Sequence, residues 1–136
     1  MPADQVRVTA FLFCDSVSRD TAQKTILVGV FNSIFVQAIP AVHPFMAAFF
    51  RLEVPEPHEG RRLAIRISTP TGSPELSPEL SLSIGPNGIA EGIVNFKDFP
   101  LPALGTYRFA LVLDDTELTT YVIRVEQAKG PADVLQ

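Results

Sequence analysis

Four side chains in this chain have the chemistry to supply a nucleophile, a base and an orienting group: Cys14, Asp15, His43 and His58. A catalytic thiolate wants exposure and a cationic neighbour, whereas Cys14 falls on the strand face shared with Val8 and Leu12, the place of a buried and inert thiol. His43 stands in the bend Pro40-Ala41-Val42-His43-Pro44 and His58 in the loop Pro55-Glu56-Pro57-His58-Glu59-Gly60, and no motif draws either towards the thiol. Metal binding needs closely spaced carboxylates, imidazoles or thiolates, and the nearest grouping is Asp114, Asp115 and Glu117. An Asp-Asp pair is also an ordinary turn, because Asp bonds its own backbone and tolerates the dihedrals required. Gly85-Pro86-Asn87-Gly88 lacks the Lys and the following helix of a phosphate loop. The residues therefore lead us to expect no enzymatic activity, no cofactor and no metal.

The elements that would position these groups read as strands. Val6, Val8, Ala10, Leu12 and Cys14 alternate with Arg7, Thr9, Phe11 and Phe13, and Leu63, Ile65 and Ile67 alternate with Arg62, Ala64 and Arg66. Residues 80–84 lead through Gly85-Pro86-Asn87-Gly88 into 89–96 as one hairpin. Tyr107, Phe109, Leu111 and Leu113 form the first arm of a second, with Asp114-Asp115 as its turn and Thr119, Tyr121, Ile123 and Val125 returning. Prolines recur too closely for a helix of ordinary length. The outward Arg62, Arg66, Arg108 and Arg124 have Glu53, Glu91 and Glu117 on adjacent segments, which suits cross-strand charge pairing on a solvated sheet face. The fold class expected is all-β: a two-sheet antiparallel Greek-key sandwich of about eight strands, one domain over 1–127 with a flexible tail at 128–136.

Leu101-Pro102-Ala103-Leu104-Gly105-Thr106-Tyr107 resembles the tyrosine-corner segment of immunoglobulin-like and fibronectin-like sandwiches, with Gly105 and Tyr107 at the matching spacing. Ala103 and Phe109 depart from the antibody pattern, which has Asp and Cys there, so the resemblance implies an immunoglobulin-like Greek-key sandwich and says nothing about immune-type function. Phe13-Cys14-Asp15, Gly29-Val30-Phe31-Asn32, the 40–44 bend and the Leu-Gly-Thr-Tyr corner together resemble a family of uncharacterised bacterial proteins of this length. That family brings no activity with it, and a bacterial origin is all the likeness implies.

The most unusual feature of the 136 residues is local: positions 25–50 hold no Asp, Glu, Lys or Arg. Asn32, Gln37, Pro40, His43 and Pro44 cut this stretch into pieces far shorter than a spanning helix needs, so no membrane partner is expected. A net charge of -4 without a basic cluster leads equally to the expectation of no nucleic acid. No secretory signal is visible at the start, and a single cysteine suits a reducing cytoplasm. If Val8, Ala10 and Leu12 point to the core, Phe11 and Phe13 point away from it; if Phe50 and Leu52 point in, Phe45 and Phe49 point out. Leaving four or five Phe in water would forgo on the order of 10 kcal/mol, so that face must be covered. The expected cover is a second copy of the chain or another protein, with Phe11, Phe13, Phe31, Phe35, Phe45 and Phe49 as the interface, or else the chain's own Asn32-Ser33 or 40–44 segment folded over the face. The alternative is a small-ligand or carbohydrate-binding sandwich that uses loop tips at His43, His58 or Asp114-Asp115.

Overall fold

In a computed structural model that describes residues 6–55, 62–72, 75–77, 80, 85 and 87–128, the alternating segments form nine strands. They are β1 (Arg7–Arg19), β2 (Thr25–Val30), β3 (Ser33–Val36), β4 (Ala41–Glu53), β5 (Leu63–Ser68), β6 (Glu75–Leu76), β7 (Ile89–Leu101), β8 (Gly105–Leu113) and β9 (Thr116–Gln127). One sheet has the order β2-β1-β4-β7 and is antiparallel; the other has the order β3-β9-β8-β5-β6. The second sheet departs from the expected antiparallel sandwich, because β3 runs parallel to β9. The reason is a change of layer: after β2 the chain leaves the first sheet through Phe31-Asn32 and joins the edge of the second, where Arg124 N–H donates to the Asn32 carbonyl. His58, positions 81–84 of the first expected hairpin and the tail from 129 onwards lie outside the described residues.

Phe13 sits at the centre of the interface between the sheets and is fully buried. Its ring lies 4.5 Å from that of Phe109, 5.1 Å from Tyr121, 5.7 Å from Phe11 and 5.8 Å from Phe96, centroid to centroid. Aromatic pairs of this kind contribute about 0.5–1.5 kcal/mol each beyond the area they bury. Phe11 is buried beside it. The expectation that Phe11 and Phe13 face outward is thus reversed, and the cause is a β-bulge. Val8 pairs with Leu52, the register slips between Val8 and Ala10, and Phe11 then pairs with Phe50. One extra residue, Thr9, moves every later side chain of β1 to the opposite face. Leu12 and Cys14, not Phe11 and Phe13, occupy the outer side of the sheet.

A second irregularity covers that outer side. Residues 7–14 of β1 pair with β4, while residues 14–19 pair with β2. In a flat sheet the five residues after Cys14 would carry Arg19 roughly 16 Å beyond the level of Ala47. Instead Arg19 and Thr25 both meet Glu91, which pairs with Arg51 at the other end of β4. The β1–β2 hairpin has therefore doubled back over the sheet that it belongs to. Asp15 marks the corner. Opposite it Gly29 has a φ of 72°, and a Cβ there would lie 2.2 Å from the Asp15 carboxylate, so neither the backbone nor the space admits another residue.

The remaining corner lies before β8. Gly105 takes a φ of 130°, and the buried Tyr107 donates its hydroxyl to the Ala103 carbonyl at 2.7 Å while accepting from the Ala103 N–H at 3.2 Å. At the far end of β8 the residues Asp114 and Asp115 both have positive φ, at 47° and 69°, and close the hairpin to β9. This arrangement of the core gives a direct test of strand phase. Phe13→Ala should cost about 3–5 kcal/mol in urea unfolding, the range for a buried Phe. Phe45→Ala, at a ring 44% exposed, should stay within about 1 kcal/mol. The reverse ranking would contradict the register.

Candidate functional site

The chemistry-bearing residues gather where β1 turns back. Cys14 is fully buried; its thiol donates to the Ser16 carbonyl at 3.3 Å and approaches the Ala47 carbonyl at 3.7 Å. Burial pushes the thiol pKa up, and the neighbouring Asp15 carboxylate pushes it further. That is the opposite of what a nucleophilic cysteine requires. His43 is brought into electrostatic reach of Asp15, and its ring lies 5.7 Å from that of Phe31. It does not stand at a loop tip, as the two prolines around it suggest. It lies in β4, paired with Phe99 and half-buried, because β4 begins at Ala41 and runs through Pro44.

Across from this corner, Tyr121 donates its hydroxyl to the Phe31 carbonyl, tying β9 to the segment that changes layers. Burial raises the Tyr121 pKa. His43 Nε2 is buried and has no hydrogen-bond partner. Burial lowers the His43 pKa, against the opposing pull of Asp15 and a hydrogen bond with Phe45 backbone. The corner thus joins a thiol that resists ionisation to an imidazole that resists protonation.

The other sequence candidates separate. Asp114 Oδ1 accepts from the Arg62 N–H at 2.8 Å, so the Asp114-Asp115 tip is engaged as a turn. Among the described residues no three His, Cys, Asp or Glu side chains converge as metal ligands. Arg66 reaches Glu117 at 3.9 Å, Arg7 pairs with Glu53, and Arg51 meets Glu91 at 3.4 Å, all across strands.

Of the six Phe expected at an interface, Phe11 and Phe13 are core, while Phe31 and Phe35 are half-buried. Phe49 does face outward, but it is only 6% exposed, because it shares a cleft with Leu27 and Thr25 of the overlying hairpin. Phe45 alone remains open. Of the residues assigned to a partner, the chain's own hairpin covers Phe49. What it exposes instead is its far side: Ile26, Val28 and Val30, at 42%, 50% and 53%, alongside Ser16 and Ser18. Sequence reading missed this row, since β2 shows an apolar residue at nearly every position and gives no sign of which side is covered.

A family profile described as a family of unknown function (DUF6941) matches residues 9–126. No curated protein matches the chain. Among solved structures the fold is similar to part of the alkylpurine DNA glycosylase AlkC of Pseudomonas fluorescens, bound to DNA containing an abasic site analog. The TM-score is 0.58 at 10% identity, over 89% of this chain but only 30% of the glycosylase chain, so the likeness is one of fold. It overturns the expectation of no nucleic acid, because a sandwich of this shape forms part of a DNA-bound chain. A net charge is a sum over the whole surface and says nothing of where the cations stand. No helix among the described residues is long and apolar enough to cross a membrane.

The buried imidazole has a consequence for stability. Unfolded, His43 titrates near the ordinary 6.5; folded, it titrates lower. Between those values the unfolded chain binds the extra proton, so stability falls as pH drops below about 6.5. The urea midpoint should decline from pH 7.5 to 5.5, and should decline less in His43→Gln. An equal decline in both would remove His43 as the cause.

Proposed function

The chain belongs to that family of unknown function, and we propose that this member is a non-enzymatic, cytoplasmic interaction module that self-associates through the outward face of its β1–β2 hairpin. The observation that carries this reading is the row Ile26, Val28 and Val30, three β-branched side chains open to water on one strand. Their cross-strand neighbours Ser16 and Ser18 are uncharged, so two copies of the face meet without like-charge repulsion about a twofold axis. β2 is also an edge strand, and edges of this kind ordinarily carry a Lys, a Pro or an inward charge to prevent association. Thr25–Val30 carries none.

Stacking the two hairpins face to face removes both rows from water, as packed sheets do at about 10 Å separation. The absence of enzymatic activity is supported by the state of Cys14, whose thiol is fully buried and bonded to backbone. The same reduced, single thiol supports the cytoplasmic assignment.

Light scattering at micromolar concentration should return the mass of a dimer. Val28→Lys should return a monomer that still unfolds in one cooperative transition, without the stabilisation that association adds to the wild type. A wild-type protein that is a strict monomer at that concentration would overturn the proposal.

A further inference from the structure

The side of the hairpin that faces its own sheet is polar at the open end. Gln23, Lys24, Thr25 and Leu27 form one wall of a cleft of about 370 Å3, and Phe49, Arg51 and Glu91 form the other. This volume lies in the range of small-molecule sites. Arg19 reaches the same carboxylate from the hairpin at 3.9 Å, Arg51 reaches it from β4 at 3.4 Å, and the Thr25 hydroxyl donates to it at 3.3 Å. Glu91 is thus the single carboxylate between two guanidinium groups. Lys24 adds a third cation and has no carboxylate partner among the described residues.

The turn before β2 fixes the backbone of Lys24 at the rim of the cleft. Asp20 Oδ1 accepts from the N–H groups of Ala22 and Lys24, both at 2.8 Å, and the Asp20 N–H donates to the Lys24 carbonyl at 2.9 Å. One oxygen of the Asp20 carboxylate is thereby engaged by backbone. Two guanidinium groups and a hydroxyl thus meet on the one carboxylate of the cleft, and Lys24 and Gln23 belong to its wall.

We propose that this cleft binds a phosphate group, with Lys24, Arg19 and Arg51 neutralising its charge and Phe49 and Leu27 giving an apolar wall to the body that carries it. Guanidinium forks and an ammonium are the donors that phosphate oxygens pair with most strongly. Glu91 competes with the ligand for the same two Arg, so it sets the affinity.

Calorimetric titration of the full chain with inorganic phosphate, against chloride at matched ionic strength, tests the site. Saturable binding to phosphate alone is expected. Lys24→Ala should weaken it about tenfold, a change of 1.4 kcal/mol. Glu91→Gln should tighten it severalfold, a gain that damage to the fold does not produce. A single-stranded oligodeoxynucleotide that displaces phosphate places a phosphodiester in the cleft; one that does not leaves a small phosphomonoester as the ligand. No phosphate response beyond that of chloride, or the same affinity in both variants as in wild type, would overturn the proposal.

Discussion

A strand with apolar side chains on both faces cannot be satisfied by a two-layer sandwich, and the architecture of this protein follows from how β1 resolves that constraint. Phe11 and Phe13 enter the space between the sheets. Leu12 and Cys14 are left on the far side, where Phe49 and Ala47 stand beside them on β4. Burying such groups is worth about 1.5–3 kcal/mol for each large side chain. The chain obtains this by doubling its own β1–β2 hairpin over them, so that the first sheet is locally the middle of three layers. Asp15 and Gly29 make the reversal geometrically possible.

The reversal also decides what the surface can do. A hairpin laid over a sheet has two sides with different fates. The inward side closes on Phe49 and, near its tip, brings Arg19 and Thr25 onto Glu91. The outward side carries the β-branched row of β2 into water. One event of folding thereby supplies an apolar surface suited to a second copy and a cationic cleft suited to an oxyanion. The Cys14 thiol and the His43 imidazole, whose Nε2 has no hydrogen-bond partner, lie near Asp15 at the hinge between them.

Much of the second sheet was legible from residue types alone. Tyr107, Phe109, Leu111 and Leu113 alternate cleanly with smaller or polar neighbours, Asp114-Asp115 is a turn by composition, and the β8–β9 hairpin follows with its core face correct. The all-β class and the two layers follow from the same alternation. The first sheet was not readable in this way. Its bulge at Thr9 depends on the partner strand, and one extra residue inverts the meaning of Phe11 and Phe13. The reversal leaves only Gly29 as a trace in sequence, and the positive φ that makes it necessary is invisible there. His43 misleads for a related reason: two flanking prolines suggest a bend, yet β4 runs through the second of them. The 26 uncharged positions from 25 to 50 divide between the buried run Met46–Phe50 and the apolar row Ile26, Val28 and Val30 that stands open to water.

The most direct test of this account is the contact that closes the hairpin onto its sheet. Thr25 Oγ1 and Glu91 Oε1 lie 3.3 Å apart, although an unfolded-back β1 would place these residues at opposite ends of the sheet. In a nuclear Overhauser spectrum of the labelled protein, the Thr25 methyl should show a cross-peak to the Glu91 side-chain methylenes, together with the ordinary β1–β2 cross-strand peaks. Those cross-strand peaks without any contact between Thr25 and Glu91 would mean that the hairpin extends away from the sheet, and the account would fail.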